Sequence, residues 1–213
     1  MALKILRILD LSWSHEAGVE WRKSCLLGGL QTLIPITEVP SPATASEISS
    51  LTAVPRTVHD GRHDFDFFLG SWTVQHERLR HPLSGSHDWY TFDGTAVMRP
   101  ILGGLGNIDE NVLHMPTGKL LAVTIRFYNL TTHEWSIYWA TDQNGFGTIP
   151  TVGSFGSDGI GLFYDREMFA GKPIVSRFTW TCLTTDHCHW EQAFSDNDGK
   201  TWERNWIMQF TRT

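Results

Sequence analysis

From about residue 70 to the C-terminus, apolar and polar residues alternate along the chain in short runs. WTVQHERLR (Trp72 to Arg80) is the first such run, followed by WYTFDGTAVMRPIL, NIDENVLHM, KLLAVTIRFYNL and HEWSIYWAT. After Asp142-Gln143-Asn144-Gly145 come TIPTVGSF, GIGLFYD, IVSRFTWTCL, HCHWEQAF and KTWERNWIMQFTR. A period of two with β-branched and aromatic residues is the signature of strands. The connections, among them PLSGSHD, GGLGN, MPTGK and NLTTHE, carry the Gly, Pro, Asn and Asp that turns require. The pattern therefore predicts about ten strands and no long helix. Ahead of them, FDFFLG reads as a short aromatic helical turn. Even spacing and short turns imply consecutive antiparallel pairing. The predicted fold is all-β, a single antiparallel up-and-down barrel, which closes the sheet without exposed edges. A two-sheet sandwich would need longer crossovers than these turns supply.

Residues 1–60 have a different texture. HEAGVEWRKSCLLGGLQTLI could form a short amphipathic helix, weakened at Gly28-Gly29. PITEVPSPATASEISSLTAVP is rich in Pro, Ser, Thr and Ala, a composition that cannot bury enough surface to order itself. The expected organisation is a loosely ordered arm and linker over 1–60 and a barrel over 61–213. In MALKILRILDLSW the charges Lys4, Arg7 and Asp10 are dispersed through the apolar residues, which argues against a secretory signal.

Composition narrows the function. With 10 Trp and 12 Phe in 213 residues, the chain can fill a core and still line a pocket. A net charge of −6, without basic runs, excludes nucleic-acid binding by a basic face. No apolar stretch approaches the ~20 residues of a membrane-spanning helix. Cys25, Cys182 and Cys188 form an odd, sparse set that suits a reducing compartment, so a cytoplasmic location is expected. Cys182 and Cys188 flank the turn LTTDH and could be cross-strand neighbours, but two free thiols are expected there in place of a bridge.

FDFFLGSW, RPILGGLGNIDE, RFYNLTTHEWSIYW, VGSFGSDGIGLFYD and WEQAFSDNDGKTWERNWIMQFTR, in that order, resemble bacterial lipocalin-like domains of the calycin superfamily. The resemblance covers about residues 63–213 and implies a calycin barrel. Calycins include carriers, haem binders and a few cyclases or isomerases, so the resemblance alone does not choose an activity. Haem binders of this kind use a His near the C-terminus. The final strand here has none, the last being His189.

Three local patterns suggest chemistry. SDNDGKTW (Ser195 to Trp202) is close to the Asp-box of sialidases. Ser195 and Asn197 should hydrogen-bond the turn backbone, Gly199 take a positive φ and Trp202 pack on the hairpin base, all structural tasks. One copy and no marked carboxylate pair give no glycosidase. His187, His189 and Glu191 share one strand face, but same-face neighbours are about 6–7 Å apart, so three on one straight strand cannot reach one ion. No metal and no cofactor is expected. Gly103-Gly104-Leu105-Gly106-Asn107 lacks a following helix to receive a phosphate.

The remaining candidates are polar and aromatic residues on barrel strands. Arg126 and Tyr128 share a face; Arg177 lies on the face opposite Phe178 and Trp180; Arg204 alternates in phase with Trp206 and Met208. Arg126, Tyr128, Trp139, Arg177, Trp180, Trp190, Arg204 and Trp206 are the candidate ligand-binding residues. Trp135 also occupies an inward-compatible position. The leading expectation is binding of a small hydrophobic molecule in the barrel. The alternative is a cofactor-independent cyclase, isomerase or hydrolase using Glu110, Asp109 or Glu191 as acid or base. A third is an accessory protein that binds a partner through the N-terminal arm. A homodimer is left open. Period two does not say which face is inside.

Overall fold

The computed structural model describes residues 60–182 and 184–213. The expectations for the N-terminal arm and linker, and for a partner bound there, fall on residues 1–59 and lie outside the described residues. Eleven strands follow in order: β1 (Gly70–Leu79), β2 (Trp89–Ile101), β3 (Gly106–Met115), β4 (Gly118–Asn129), β5 (Glu134–Thr141), β6 (Gly145–Phe146), β7 (Thr151–Phe155), β8 (Gly161–Phe169), β9 (Lys172–Cys182), β10 (His187–Ser195) and β11 (Glu203–Arg212).

All pairings are antiparallel. β1 is bonded on one side to β2 and on the other to β11, and β4 pairs with β5, so the sheet closes on itself. Ten strands form the ring; β6 is a two-residue appendage on the end of β5. The up-and-down barrel expected from the alternation is the observed one. β7 lies close against β8, and a Cβ on Gly153 would run into the Leu162 carbonyl. That close approach is one that only glycine allows.

One end of the barrel is plugged. The FDFFLG segment forms a 3-10 turn, Asp66–Phe68, behind a first one at Gly61–His63. Phe65 and Phe68 are at most 1% exposed and meet Trp72, Trp135, Phe163 and Trp180 edge-on, tilted or stacked. Burial of such rings stabilises the floor by about 25 cal/mol per Å² of apolar surface removed from water. The indoles of this floor and the Tyr128 hydroxyl are paired. The Trp72 indole donates to the Phe68 carbonyl (2.8 Å), that of Trp135 to the Gly61 carbonyl (3.0 Å), and the Gly61 amide to the Tyr128 hydroxyl (2.8 Å).

The hairpin at Ser195 to Trp202 is a turn, as its sequence implies. Ser195 Oγ accepts from the Gly199 amide (2.8 Å), Asn197 Oδ1 accepts from the Thr201 amide (2.9 Å), and Gly199 has φ +79°. Trp202 packs on Tyr164 outside the barrel, under the Arg177 guanidinium.

Cys182 and Cys188 stand directly opposite each other on β9 and β10 and form a disulfide. This corrects the expectation of two free thiols. Their places either side of the LTTDH turn allowed the pairing; the assumed reducing compartment was what argued against the bridge. The cytoplasmic expectation loses that support. Among the described residues no helix is long and apolar enough to cross a membrane.

Candidate ligand cavity

Above the aromatic floor the barrel encloses a cavity of about 420 Å³. It reaches solvent at the other end, where Trp139, Ile149 and Glu167 are exposed. Alternation from the β1 register fixes its walls. His76 and Arg78 face in from β1, Asp109 and Asn111 from β3, Thr124 and Arg126 from β4, and Ile137 and Trp139 from β5. Thr151 on β7, Asp165 and Glu167 on β8, and Phe178 and Trp180 on β9 continue the wall. Trp190 and Gln192 on β10, with Trp206 and Met208 on β11, complete it.

The apolar lining is a run of aromatic contacts. Phe178 meets Trp190 (centroids 4.9 Å), Trp190 meets Trp206 (5.6 Å), and Trp206 meets Trp139 (6.5 Å). Edge-on geometry suits the ring quadrupoles and leaves ring faces for a guest. Arg78 lies over Trp206 at 4.5 Å.

Two polar groups interrupt this lining. In the first, Arg126 Nη1 donates to Asp109 Oδ1 (2.8 Å) and Asn107 Oδ1 (3.1 Å), with both side chains of the ion pair only 4% exposed. Asn111 Nδ2 donates to the other Asp109 oxygen (3.1 Å). The guanidinium carbon also lies 5.0 Å from the centroid of the Phe65 ring, so the pair rests on the floor. A buried charge needs such a partner, since an isolated one would cost on the order of several kcal/mol. Arg126 Nε has no protein partner.

The second group is on β7 and β8. Thr151 Oγ1 donates to Asp165 Oδ2 at 2.6 Å, while Asp165 Oδ1 is buried without a protein partner. Burial, with the like charge of Glu167, pushes the Asp165 carboxyl up to about 7. Glu167 stands at the mouth with solvent access, yet barrel atoms crowd its carboxyl and desolvation raises it too. His76 is stacked on Phe92 (4.4 Å) and accepts a hydrogen bond at Nδ1 from the Trp206 indole (3.2 Å). Burial, and secondarily nearby Arg78, hold it down at about 4, so it is neutral near pH 7.

The candidates named from sequence separate into two sets. Arg126, Asp109, Trp139, Trp180, Trp190 and Trp206 border the cavity. Tyr128 also faces inward, but its hydroxyl serves the floor, accepting from Gly61 and bonding His133 Nδ1 at 3.2 Å. Arg177 lies outside over Trp202 at 4.4 Å. Glu110 lies on the outer face, exposed. Glu191 is also outside, bonded to Arg204 (3.2 Å) and near His189 (3.5 Å). Arg204 breaks the alternation because β11 carries an extra residue. Gln192 pairs with Trp206 and Ala193 with Arg204, so Asn205 is a bulge that turns Arg204 outward. Among the described residues no set of three or more His, Cys, Asp or Glu could hold a metal ion.

Asp165, Glu167, Thr151 and His76 were not singled out from sequence. The signal was present in phase: Phe163, Asp165, Glu167 and Phe169 share one strand face, as do Trp72, Val74 and His76. A carboxylate in step with aromatics on a barrel strand is a candidate lumen group.

No protein-family model matches the chain, and no curated protein matches its sequence. Among solved structures, the barrel is similar to the S-type phycobiliprotein lyase CPES from Guillardia theta. The TM-score is 0.51 at 8% identity, over 73% of this chain and 93% of that one. The fold is calycin-like. Rv2717c from M. tuberculosis (TM-score 0.48, 10% identity, 74% of this chain and 99% of that one) is a further match. So is a de novo designed fluorescence-activating β-barrel (TM-score 0.38, 13% identity, 73% and 100%).

Proposed function

We propose that the protein binds a small, largely apolar molecule inside the barrel. The observation that carries this reading is the cavity itself: about 420 Å³, with Trp and Phe side chains from several strands in its wall beside a comparable number of polar and charged ones. Small-molecule sites fall at about 300–1,000 Å³ and combine apolar and aromatic wall with polar groups that fix a ligand's orientation. A barrel filled by packed side chains would have no such space.

Native mass spectrometry of protein purified from its own source tests this directly, since a retained molecule would appear as a defined added mass. A panel of apolar ligands provides the second arm. Trp139, Trp180, Trp190 and Trp206 border the cavity, so a bound guest should shift or quench Trp emission and raise the melting temperature by mass action. A panel with neither response, together with no retained mass, would sink the carrier reading.

Catalysis is a second reading, supported by Asp165. A carboxyl that ionises at about 7 inside a cavity is suited to acid–base work. Of the carboxylates first considered, Glu110 and Glu191 are outside, and both oxygens of Asp109 are engaged by Arg126 and Asn111. Recovery of the retained molecule in chemically altered form after incubation would favour this reading over storage or transport. The same barrel fold serves either role.

A further inference from the structure

The ionisable groups bordering the cavity are His76, Arg78, Asp109, Arg126, Asp165 and Glu167. Their charges do not balance locally. Arg126 and Asp109 neutralise each other at 2.8 Å, and His76 is uncharged near neutrality. Arg78, on β1, stands over Trp206. Asp165 and Glu167 occupy successive inward positions of β8, where same-face residues are about 6–7 Å apart. The strands on either side offer them no cation: β7 presents Thr151, and β9 presents Ser176 and Ile174. Thr151 occupies one oxygen of Asp165, and the other is buried without a protein partner.

We propose that the bound molecule carries a protonated nitrogen on an aromatic or similarly apolar body, with the nitrogen seated against Asp165 and Glu167 and the body against Trp139, Trp190 and Trp206. This rests on the carrier reading above and names its ligand class. A cationic N–H supplies the donor that Asp165 Oδ1 lacks, as a charge-assisted hydrogen bond. It also takes the place of the proton that burial favours on Asp165, and the indoles receive the apolar body. An anionic guest would meet two carboxylates on β8, and the charge of Arg126 is already committed to Asp109; only Arg78, over Trp206, would attract it, and the naphthoate probe tests that.

Three naphthalene probes of nearly equal size separate the possibilities: 2-naphthylmethylamine, 2-naphthylmethanol and 2-naphthoate. Each is titrated calorimetrically into the full chain at pH 6 and pH 8, in two buffers of different ionisation enthalpy. The amine should bind about tenfold or more tighter than the alcohol at pH 8. Its affinity should fall by about tenfold at pH 6, where Asp165 holds its proton, and binding near neutrality should release a proton. The alcohol should show neither effect. In Asp165→Asn the amine's advantage should shrink to about twofold, and Glu167→Gln should reduce it by less, with circular dichroism confirming the fold of each. Alcohol or naphthoate binding as tightly as the amine at pH 8 overturns this inference and leaves the carrier reading standing. So does an amine advantage that survives both variants. No binding by any of the three also overturns this inference, while the carrier reading falls only if the wider panel and the retained-mass experiment are silent as well.

Discussion

The two halves of the barrel use similar residues to opposite ends. In the floor, Phe65, Phe68, Trp72 and Trp135 are at most 1% exposed, and the indole N–H groups there donate to main-chain carbonyls. In the cavity half, Trp139, Trp190 and Trp206 touch edge to edge around open space, and buried polar atoms of Arg126 and Asp165 have no protein partner. Satisfied polar groups and filled volume give stability. Unsatisfied groups beside unfilled volume lower it and give affinity for a guest. The Arg126–Asp109 pair marks the boundary, resting on Phe65 below and bordering the cavity above.

The strongest way to break this contrast is in the floor. Phe68→Ala should cost about 4 kcal/mol in chemical denaturation, because it opens a void where no side chain can follow. The same truncation at Trp139, which is 38% exposed, should cost less than half of that. Equal losses would erase the distinction between floor and wall.

At the boundary, Asp109→Ala should cost about 3 kcal/mol by leaving the Arg126 charge buried and unpaired. The double variant Asp109→Leu/Arg126→Met should recover most of it, since the cost lies in the orphaned charge and not in lost apolar contact. A double variant no better than the single would mean that the pair itself holds the two strands together.

In the cavity wall the sign reverses. The folded-state pKa of Asp165, about 7, lies above its ordinary value of 3.8, so the folded state holds the proton more tightly than the unfolded chain. The stability this contributes is fully present below about pH 4 and is lost as pH rises to about 7 and beyond. Asp165→Asn, which carries no charge to bury, should therefore stabilise the protein at pH 8 by on the order of 2 kcal/mol, with little effect near pH 4. Thermal melts of both forms across that range check it, and a destabilised variant at pH 8 would show that the ionised carboxylate is well solvated.

The smallest expected effect is on the outer face. Arg204→Met removes an exposed ion pair with Glu191 and should change stability by no more than about 0.5 kcal/mol. Ligand-induced changes in Trp emission should be the same as in the parent. A marked loss of binding would place Arg204 in contact with the guest through a path other than the cavity wall.

Much of the fold was legible in the chain. Alternation and turn chemistry are local properties, and they set the strands, their consecutive pairing and the aromatic turn that became the floor. Trp135, Trp139, Trp180 and Trp190 are inward because their strands keep phase from end to end, and Trp206 because it lies beyond the break in β11. The SDNDGKTW turn was readable for the same reason, since its bonds span only a few residues.

The site was less legible, because it depends on distances between strands far apart in sequence. Period two makes two faces and does not say which is inside. Arg204 followed the alternation rule on paper and left it in the fold, because one extra residue at Asn205 shifts the phase. Arg126 carries a full positive charge in any sequence reading, but only the antiparallel neighbour β3 brings Asp109 to cancel it and Asn107 to accept a second hydrogen bond. Asp165 is an ordinary carboxylate in the chain. Enclosure by the barrel, beside Glu167 and with one oxygen unmet, gives it an unusual affinity for a proton, because desolvation and like charge act through space and not along the sequence.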